Sequence, residues 1–458
     1  MTITQVIDRS QLEDTTRIDA EYYGPQYMGL EAKVLQTKMS IPWKHIKGEF
    51  ISGPFGSEFN VENYVTDGSY RYIRGKDVKP FFLLNDDNVY VSKEDFERLK
   101  EYALNEGDIL ISVVGHTRGI AAVIHTEDLP AIFSCKSTAF RGRSVDPYYL
   151  VAYLNCRYGH NLLLRRVRGA AQTGLNMGDL KSLPIFLADG KVQAEIAYLV
   201  RAAKSDFDSA KSLFAEAERL LLEGLGFTNF RPKEELSYLS NLSRLVGAHR
   251  ADAEYFQPAY DALVNRIVDY ANGCTKLIDI AQPIEADFDP KRYPDRIYRY
   301  VELANINSLL GTVEGSSETP GNQAPGRAKR VLANRDVIVS RVEGSLSKVA
   351  LIGEEFTGAL ASTGFFQLRA TGLLPEALLV LCKSIVIQAQ LRRESTGTIL
   401  AAVPTGSLKR VLVPILSDTL QRKVASLVRE SHVLLRNAWI SFDKAKNKIE
   451  RMIEAATA

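Results

Sequence analysis

Asp19-Ala-Glu-Tyr-Tyr23 recurs as Asp252-Ala-Glu-Tyr-Phe256, and at the same offset of 233 Pro25 matches Pro258, Tyr27 matches Tyr260 and Leu30 matches Leu263. From Tyr72-Ile73 and Tyr300-Val301 onward the offset is 228, which also aligns Asp108-Ile-Leu-Ile-Ser112 with Asp336-Val-Ile-Val-Ser340 and Gln193 with Gln421. A repeat this long is one structural plan used twice. The 458 residues therefore resolve into two similar halves, although length alone gives a prior of about three units.

Apolar, β-branched runs bounded by glycine (Gly107 to Val114, Ala121 to Ile124, Val337 to Val342, Val349 to Ile352) read as buried strands. Each half then closes with a helix. Its apolar stripe is Ile196, Leu199, Ala203, Phe207, Ala210, Phe214, Ala217 and Leu221 in the first half. Val424, Leu427, Ser431, Leu435, Ala438, Phe442, Ala445 and Ile449 form it in the second. Both stripes carry an extra 3-4-4 step, an 11-residue element that relaxes the left-handed supercoil of a strict heptad. At about 1.5 Å per residue, Lys191 to Gly224 spans roughly 50 Å, too long a stripe for one small domain to bury.

The expected fold is thus mixed α/β: two similar globular domains related by a pseudo-twofold and separated by an antiparallel coiled coil of two long helices. The expected boundaries are a domain at 1–190, a helix at 191–226, a connector at 227–245, a domain at 246–417 and a helix at 418–458. Gly224 and Gly226 supply the C-cap of the first helix. Gly311 to Gly326 reads as a surface loop, and Leu373 to Ile387 as one buried helix, being short of the roughly 20 apolar residues of a membrane span.

Four dispersed cysteines and six histidines without ligand spacing point to reduced thiols, a cytoplasmic location and no metal site. The polar start lacks the apolar core of a signal peptide. Phosphate-loop, G-x-S-x-G and H-E-x-x-H patterns do not occur, nor does the Asp/Asn-Pro-Pro-aromatic tetrapeptide of amino-methyltransferases, so no catalytic residue is expected. Asp19 with Glu31 and Lys33 has the look of a nuclease cluster. However, the second copy replaces Glu31 by Val264 and Lys33 by Arg266 while keeping the Asp-Ala-Glu-Tyr frame, which makes Asp19 and Glu21 framework groups.

The net charge of +2 conceals segregation. Arg141 to Lys181 carries +5 and Arg327 to Lys348 +4, against −5 over Asn85 to Asp108. That polarity suits one face turned to a phosphate backbone. Just before the helices lie Arg165, Arg166, Arg168, Gln172, Thr173 and Asn176, and in the second half Arg392, Arg393, Thr396 and Thr398, on loops that glycine permits. Arginine reads guanine, glutamine and asparagine read adenine, and threonine serves phosphate or thymine.

Gly53-Pro-Phe-Gly-Ser57, Tyr72-Ile-Arg-Gly-Lys-Asp77, Gly107-Asp-Ile-Leu-Ile-Ser112 with Gly115, and Gln172-Thr-Gly-Leu-Asn176 leading to Leu180, Pro184 and Gln193-Ala-Glu-Ile196 together resemble the specificity subunit of type I restriction-modification systems. The second copy lacks the Gly-Pro-Phe-Gly-Ser element and has Glu343-Gly344 at the place of Gly115. The resemblance implies a non-catalytic reader of double-stranded DNA. Two target recognition domains would each read half of a split, asymmetric site, and the coiled coil would set the spacer. It also implies docking of two methyltransferase subunits, which bring S-adenosylmethionine, and of two restriction subunits that can join; this chain itself would hold no cofactor. Expected DNA contacts in the first domain are Arg71, Arg74, Lys76, His116, Arg118, Lys136 and the Arg165 to Asn176 loop. In the second they are Arg296, Arg299, Lys329, Arg330, Arg341, Lys348 and the Arg392 to Thr398 loop. The alternative is a free-standing bipartite DNA-binding regulator without enzymatic partners.

Overall fold

The computed structural model describes residues 6–7, 17–54, 58–65, 67–85, 88–169, 173–397 and 401–457. The chain divides into two compact units, residues 1–206 with 436–458, and residues 207–435. One order of elements builds both.

Unit 1 opens with helix Pro25–Gln36, started by the proline whose missing N–H a first turn does not need. A four-stranded antiparallel sheet follows in the order Gly48–Ser52, Ser137–Gly142, Ile109–Ser112, Ala121–Val123. Ile109 to Ser112 is buried at every position, which is why it reads as a continuous apolar run rather than an alternation. A second sheet sets Val89–Val91 beside Tyr70–Ile73, which runs parallel to Ala131–Phe133. Helices Pro147–Asn155 and Arg157–Arg165 complete the layer.

Unit 2 repeats the plan. Its antiparallel sheet runs Ala281–Pro283, Phe365–Ala370, Val337–Ser340, Val349–Leu351. The second sheet has four strands, Ser317–Pro320, Ile297–Val301, Leu360–Ser362 and Ala328–Val331. Gly311 to Gly326, expected as a surface loop, thus contributes a sheet edge. Backbone pairing of Ser317 to Pro320 with Tyr300 to Ile297 overrides its Gly, Ser and Pro content. The single helix expected at Leu373 to Ile387 is likewise two, Pro375–Lys383 and Ile385–Glu394, parted where Ser384 takes an extended conformation. Cys156, its counterpart, breaks the first unit's helix pair in the same way.

The long helices are Gly190–Gly224 and Asp418–Ala455, and each unit holds a stretch of both. Gly226, in the left-handed region, turns the chain out of the first one, and the Phe227 N–H closes on the Leu222 carbonyl at 2.7 Å. The buried seam of the first is Ile196, Val200, Ala203, Phe207, Ala210, Phe214, Ala217 and Leu221, an unbroken 4-3 heptad. The seam of the second, Val424, Val428, Ser431, Leu435, Ala438, Phe442, Ala445 and Ile449, matches it position for position. This corrects the 11-residue step. Leu199 and Leu427 are half-exposed, and the valine one residue on takes the seam position in each helix. A 3.5-residue period favours a left-handed supercoil. In unit 2 the two stretches run antiparallel: Ser431 Oγ donates to the Ala210 carbonyl at 2.7 Å, while Leu420 lies against Gly224. In unit 1, Lys448 pairs with Glu195.

Each unit also ties its sheets and short helices to its share of the long ones, with different chemistry at equivalent positions. In unit 1 Phe81 stacks on Phe442 at 4.2 Å, and Arg201 lies 4.2 Å over the Tyr148 ring while pairing with Asp146. In unit 2 Arg429, the counterpart of Arg201, pairs with buried Glu376 at 2.8 Å, and His432 bonds the Leu310 carbonyl.

Candidate nucleic-acid interface

In unit 1 four loops that the sequence scatters over a hundred residues meet where strands Tyr70–Ile73, Ile109–Ser112 and Ala131–Phe133 end. Ser112 and Thr117 share a hydroxyl hydrogen bond of 2.9 Å, and Thr117 Oγ1 donates to the Gly75 carbonyl at 2.9 Å. The Val113 N–H donates to the Lys136 carbonyl at 2.8 Å, and the Leu175 N–H to the Val113 carbonyl at 3.0 Å. Gly75 has no side chain where a Cβ would lie 3.4 Å from that of Lys136, so the loops approach closely. Gly115 turns the chain through the left-handed region that glycine adopts without strain. Arg168 and Gly174 exchange two backbone hydrogen bonds of 2.8 Å and form the stem of a hairpin.

Unit 2 builds the same edge from equivalent residues. Ser340 and Ser345 share a 2.9 Å hydroxyl bond, the Arg341 N–H donates to the Gly364 carbonyl at 2.9 Å, and the Val403 N–H to the Arg341 carbonyl at 2.8 Å. Thr396 and Ala402 close the matching stem.

Of the residues expected to touch DNA, Lys76, His116 and Lys136 are exposed on the edge of unit 1, with half-exposed Arg118, whose Nη1 donates to the Gly115 carbonyl. Arg74 stands beside them, its guanidinium bonded to Asp77 at 2.9 and 3.0 Å. Arg168 is held at 2.8 Å by Asp179, and Asn176 caps helix Met177–Lys181 by accepting from the Asp179 N–H, leaving Thr173 half-buried beside the stem. Gln172 and Thr398 lie outside the described residues, as do Phe55 to Ser57 of the glycine-rich motif.

Arg71, Arg165, Arg166 and Arg330 are corrections. Arg71 is buried against Asp128 at 3.0 Å and the Leu84 carbonyl at 2.7 Å; burial pulls its pKa down and Asp128 opposes the fall. Arg165 and Arg166, 3% and 4% exposed, both pair with Glu31. Arg330 is buried and donates to the Ile284 carbonyl at 2.6 Å. Buried charges are paired or hydrogen-bonded because the alternative is several kcal/mol of lost hydration, which fixes these four inside the protein. Elsewhere in unit 2, Arg296, Arg299, Lys329, Arg392 and Thr396 are exposed. Arg341 donates to the Val403 carbonyl, Lys348 to the Ile306 carbonyl and Arg393 to the Tyr255 carbonyl.

No protein-family model and no curated protein matches the chain. Solved structures are similar to it, three of them as follows. The HsdS subunit from Thermoanaerobacter tengcongensis matches at 31% identity over 33% of this chain and 40% of its own, with a TM-score of 0.30. The S subunit of a type I restriction-modification system from M. genitalium matches at 12% identity over 91% of this chain and 94% of its own, with a TM-score of 0.40. A chain from a structure on complex assembly and conformational transition of the type I R-M system matches at 12% identity over 91% and 97%, with a TM-score of 0.29. The first two of these neighbours are S subunits and the third comes from a type I R-M system. The alignment spans two fifths of the length of the first of them.

Among the described residues no cluster of His, Cys, Asp or Glu is placed to hold a metal, and no helix is long and apolar enough to cross a membrane. Burial pushes the Cys156 and Cys382 thiols up to about 12, so neither is a nucleophile at neutral pH. Two residues escaped the sequence reading: Arg17, which bonds Asp19 at 2.9 Å, and Arg250, which bonds Asp252 at 2.6 and 2.8 Å. These bonds hold both carboxylates below their usual range. The signal was available, because the offset of 233 that aligns Asp19 with Asp252 also aligns Arg17 with Arg250.

Proposed function

We propose that the chain is the DNA-specificity subunit of a type I restriction-modification complex, acts without catalysis of its own, and reads a bipartite asymmetric site, one half with each unit. The observation that carries this reading is the doubled edge. In each unit, loops far apart in sequence converge on one strand end and offer hydroxyl and amide groups, joined in unit 1 by cations on the same loops and in unit 2 by exposed cations elsewhere on the unit, the kinds that grip phosphate and read base edges. In unit 1 the contacts are Arg74, Lys76, His116, Arg118, Lys136, Arg168 and Thr173, with Gln172 just before it in sequence. In unit 2 they are Arg296, Arg299, Lys329, Arg392 and Thr396, with Thr398 two residues on in sequence.

The heptad helices would set the unread spacer and offer the docking surface for two methyltransferase subunits, which would bring S-adenosylmethionine, and for restriction subunits. Such a complex works in the cytoplasm, where chromosomal DNA is its substrate. Selection from random duplexes with the purified full chain tests the reading: two short motifs at fixed spacing are expected. Substituting Lys76 and Lys136 by Ala should weaken every sequence alike, while truncating a base-reading arginine should relax one position at a cost of roughly 1–3 kcal/mol. Enrichment of no motif, or of one continuous motif, overturns it.

A further inference from the structure

Arg17 reaches across 149 residues of sequence to the stem of the first hairpin, donating from Nη1 to the Arg166 carbonyl at 3.1 Å and from Nη2 to the Val167 carbonyl at 2.9 Å. Arg250 does the same in unit 2, to the Arg393 carbonyl at 3.4 Å and the Ser395 carbonyl at 2.9 Å. These carbonyls end helices Arg157–Arg165 and Ile385–Glu394, where the helix leaves them without intrahelical donors. Each guanidinium is oriented by a carboxylate two residues on, Asp19 or Asp252. Each also lies over an aromatic ring, Arg17 at 4.2 Å from Tyr22 and Arg250 at 4.4 Å from Tyr255. A second arginine approaches the same rings, Arg165 at 4.0 Å from Tyr22 and Arg393 at 4.7 Å from Tyr255, and each donates to its tyrosine's carbonyl, at 2.8 and 3.1 Å.

Resting on the reading of the chain as a DNA-specificity subunit, we infer that Arg17, Asp19 and Tyr22 in the first unit, and Arg250, Asp252 and Tyr255 in the second, form a clamp that fixes each hairpin stem against the recognition edge, and are positioning residues for that unit's half-site. The pattern Arg-x-Asp-x-x-Tyr is kept at one offset of 233 while the residues it grips differ: Val167 in one stem is Ser395 in the other. What it grips is backbone, so the clamp is indifferent to the sequence of the hairpin it holds. Its charge is internally cancelled, and Arg17 is buried, so it adds nothing to the phosphate grip. A planar fork that meets two carbonyls and a carboxylate at once needs arginine, since a lysine ammonium is a point donor.

The test is duplex selection with the full chain carrying Arg17→Lys or Arg250→Lys, alongside thermal unfolding and the salt dependence of binding to a random-sequence duplex. Arg17→Lys is expected to lower discrimination at least tenfold in one half of the bipartite motif, and Arg250→Lys in the other, with the salt slope unchanged. Should Arg17→Lys not fold, Asp19→Asn, which removes the orienting charge alone, is expected to give the same half-specific loss. A motif left intact in both halves by these variants, or lost equally in both, overturns the clamp and leaves the proposed function standing. A wild-type chain that enriches no motif overturns the proposed function, and the clamp's role with it.

Discussion

The loop edges of the two units share a frame and differ in what they expose. Residues 74–77, 113–118 and 134–136 of unit 1 carry an excess of three positive charges, whereas their equivalents 302–305, 341–346 and 362–364 carry one negative. Arg74 becomes Glu302, Lys76 becomes Ala304, Arg118 becomes Leu346, Lys136 becomes Gly364 and Gly115 becomes Glu343. Meanwhile the hydroxyl pair and the backbone bonds that gather the loops persist almost unchanged in length. Where backbone and small hydroxyls hold a surface together, its outward side chains are free to vary, and on the proposed function two edges of one build would acquire different preferences. Two exposed cations of unit 2 lie instead on its second sheet, Arg299 on one strand and Lys329 on another.

The buried charges were rewired as well, and this contrast gives the largest expected effect. Glu31 neutralises Arg165 and Arg166 in unit 1; in unit 2 Val264 replaces the glutamate, and Glu394, at the position of Arg166, pairs with Arg410. Removing Glu31 takes away the carboxylate that two buried guanidiniums share, so Glu31→Ala should cost roughly 3–5 kcal/mol. Arg410 is itself mostly exposed but its loss leaves the buried carboxylate of Glu394 without this cation, so Arg410→Ala should cost less, roughly 1–3 kcal/mol. Urea unfolding followed by tryptophan fluorescence reads the first, because Trp43 and Trp439 both lie in unit 1, and hydrogen exchange reads the second. Equal costs would erase the contrast.

Next in size is the electrostatic difference between the edges. Replacing Lys76, Arg118 and Lys136 together by Gln should lower the slope of log affinity against log salt by about 3 on a random duplex. Glu302→Gln with Glu343→Gln should tighten the same duplex severalfold, with little change in slope. Filter binding between 50 and 200 mM salt, a range in which such contacts dominate, measures both. A slope insensitive to the unit 1 triple substitution would sink the assignment of that edge to phosphate.

The smallest effect concerns the seam, where the units agree. Val428→Ala should cost about 1.5 kcal/mol and Leu427→Ala, one residue earlier and half-exposed, less than half as much despite the larger side chain. The reverse order in thermal unfolding would restore the 11-residue step.

That last pair shows what could be read from sequence and what could not. Leu199-Val200 and Leu427-Val428 are adjacent apolar residues, so spacing alone admits either phase, and packing chooses. Repetition, helix ends and the main strands were legible because each rests on local chemistry: Gly226, the Asp108 and Asp336 frames, and the β-branched runs. The pairing of Arg165 and Arg166 with Glu31 was not, since it joins residues 134 and 135 positions apart. An arginine cluster beside a glycine-permitted loop looks the same whether it faces a phosphate or a buried carboxylate. The repeat held half of the answer, because a glutamate lost in one copy together with an arginine turned to glutamate marks a pair that changed together.

Ser431 stands among apolar residues in the seam, and its counterpart in the first helix is Ala203. Its hydroxyl meets the Ala210 carbonyl at one alignment of the two strands of the seam. A buried hydroxyl left without an acceptor costs about 1–3 kcal/mol, so the serine holds this place in the seam only because the Ala210 carbonyl of the facing helix comes within reach. One oxygen thus acts as a rivet, tying a side chain of one helix directly to the backbone of the other at a level where the neighbouring seam residues are apolar.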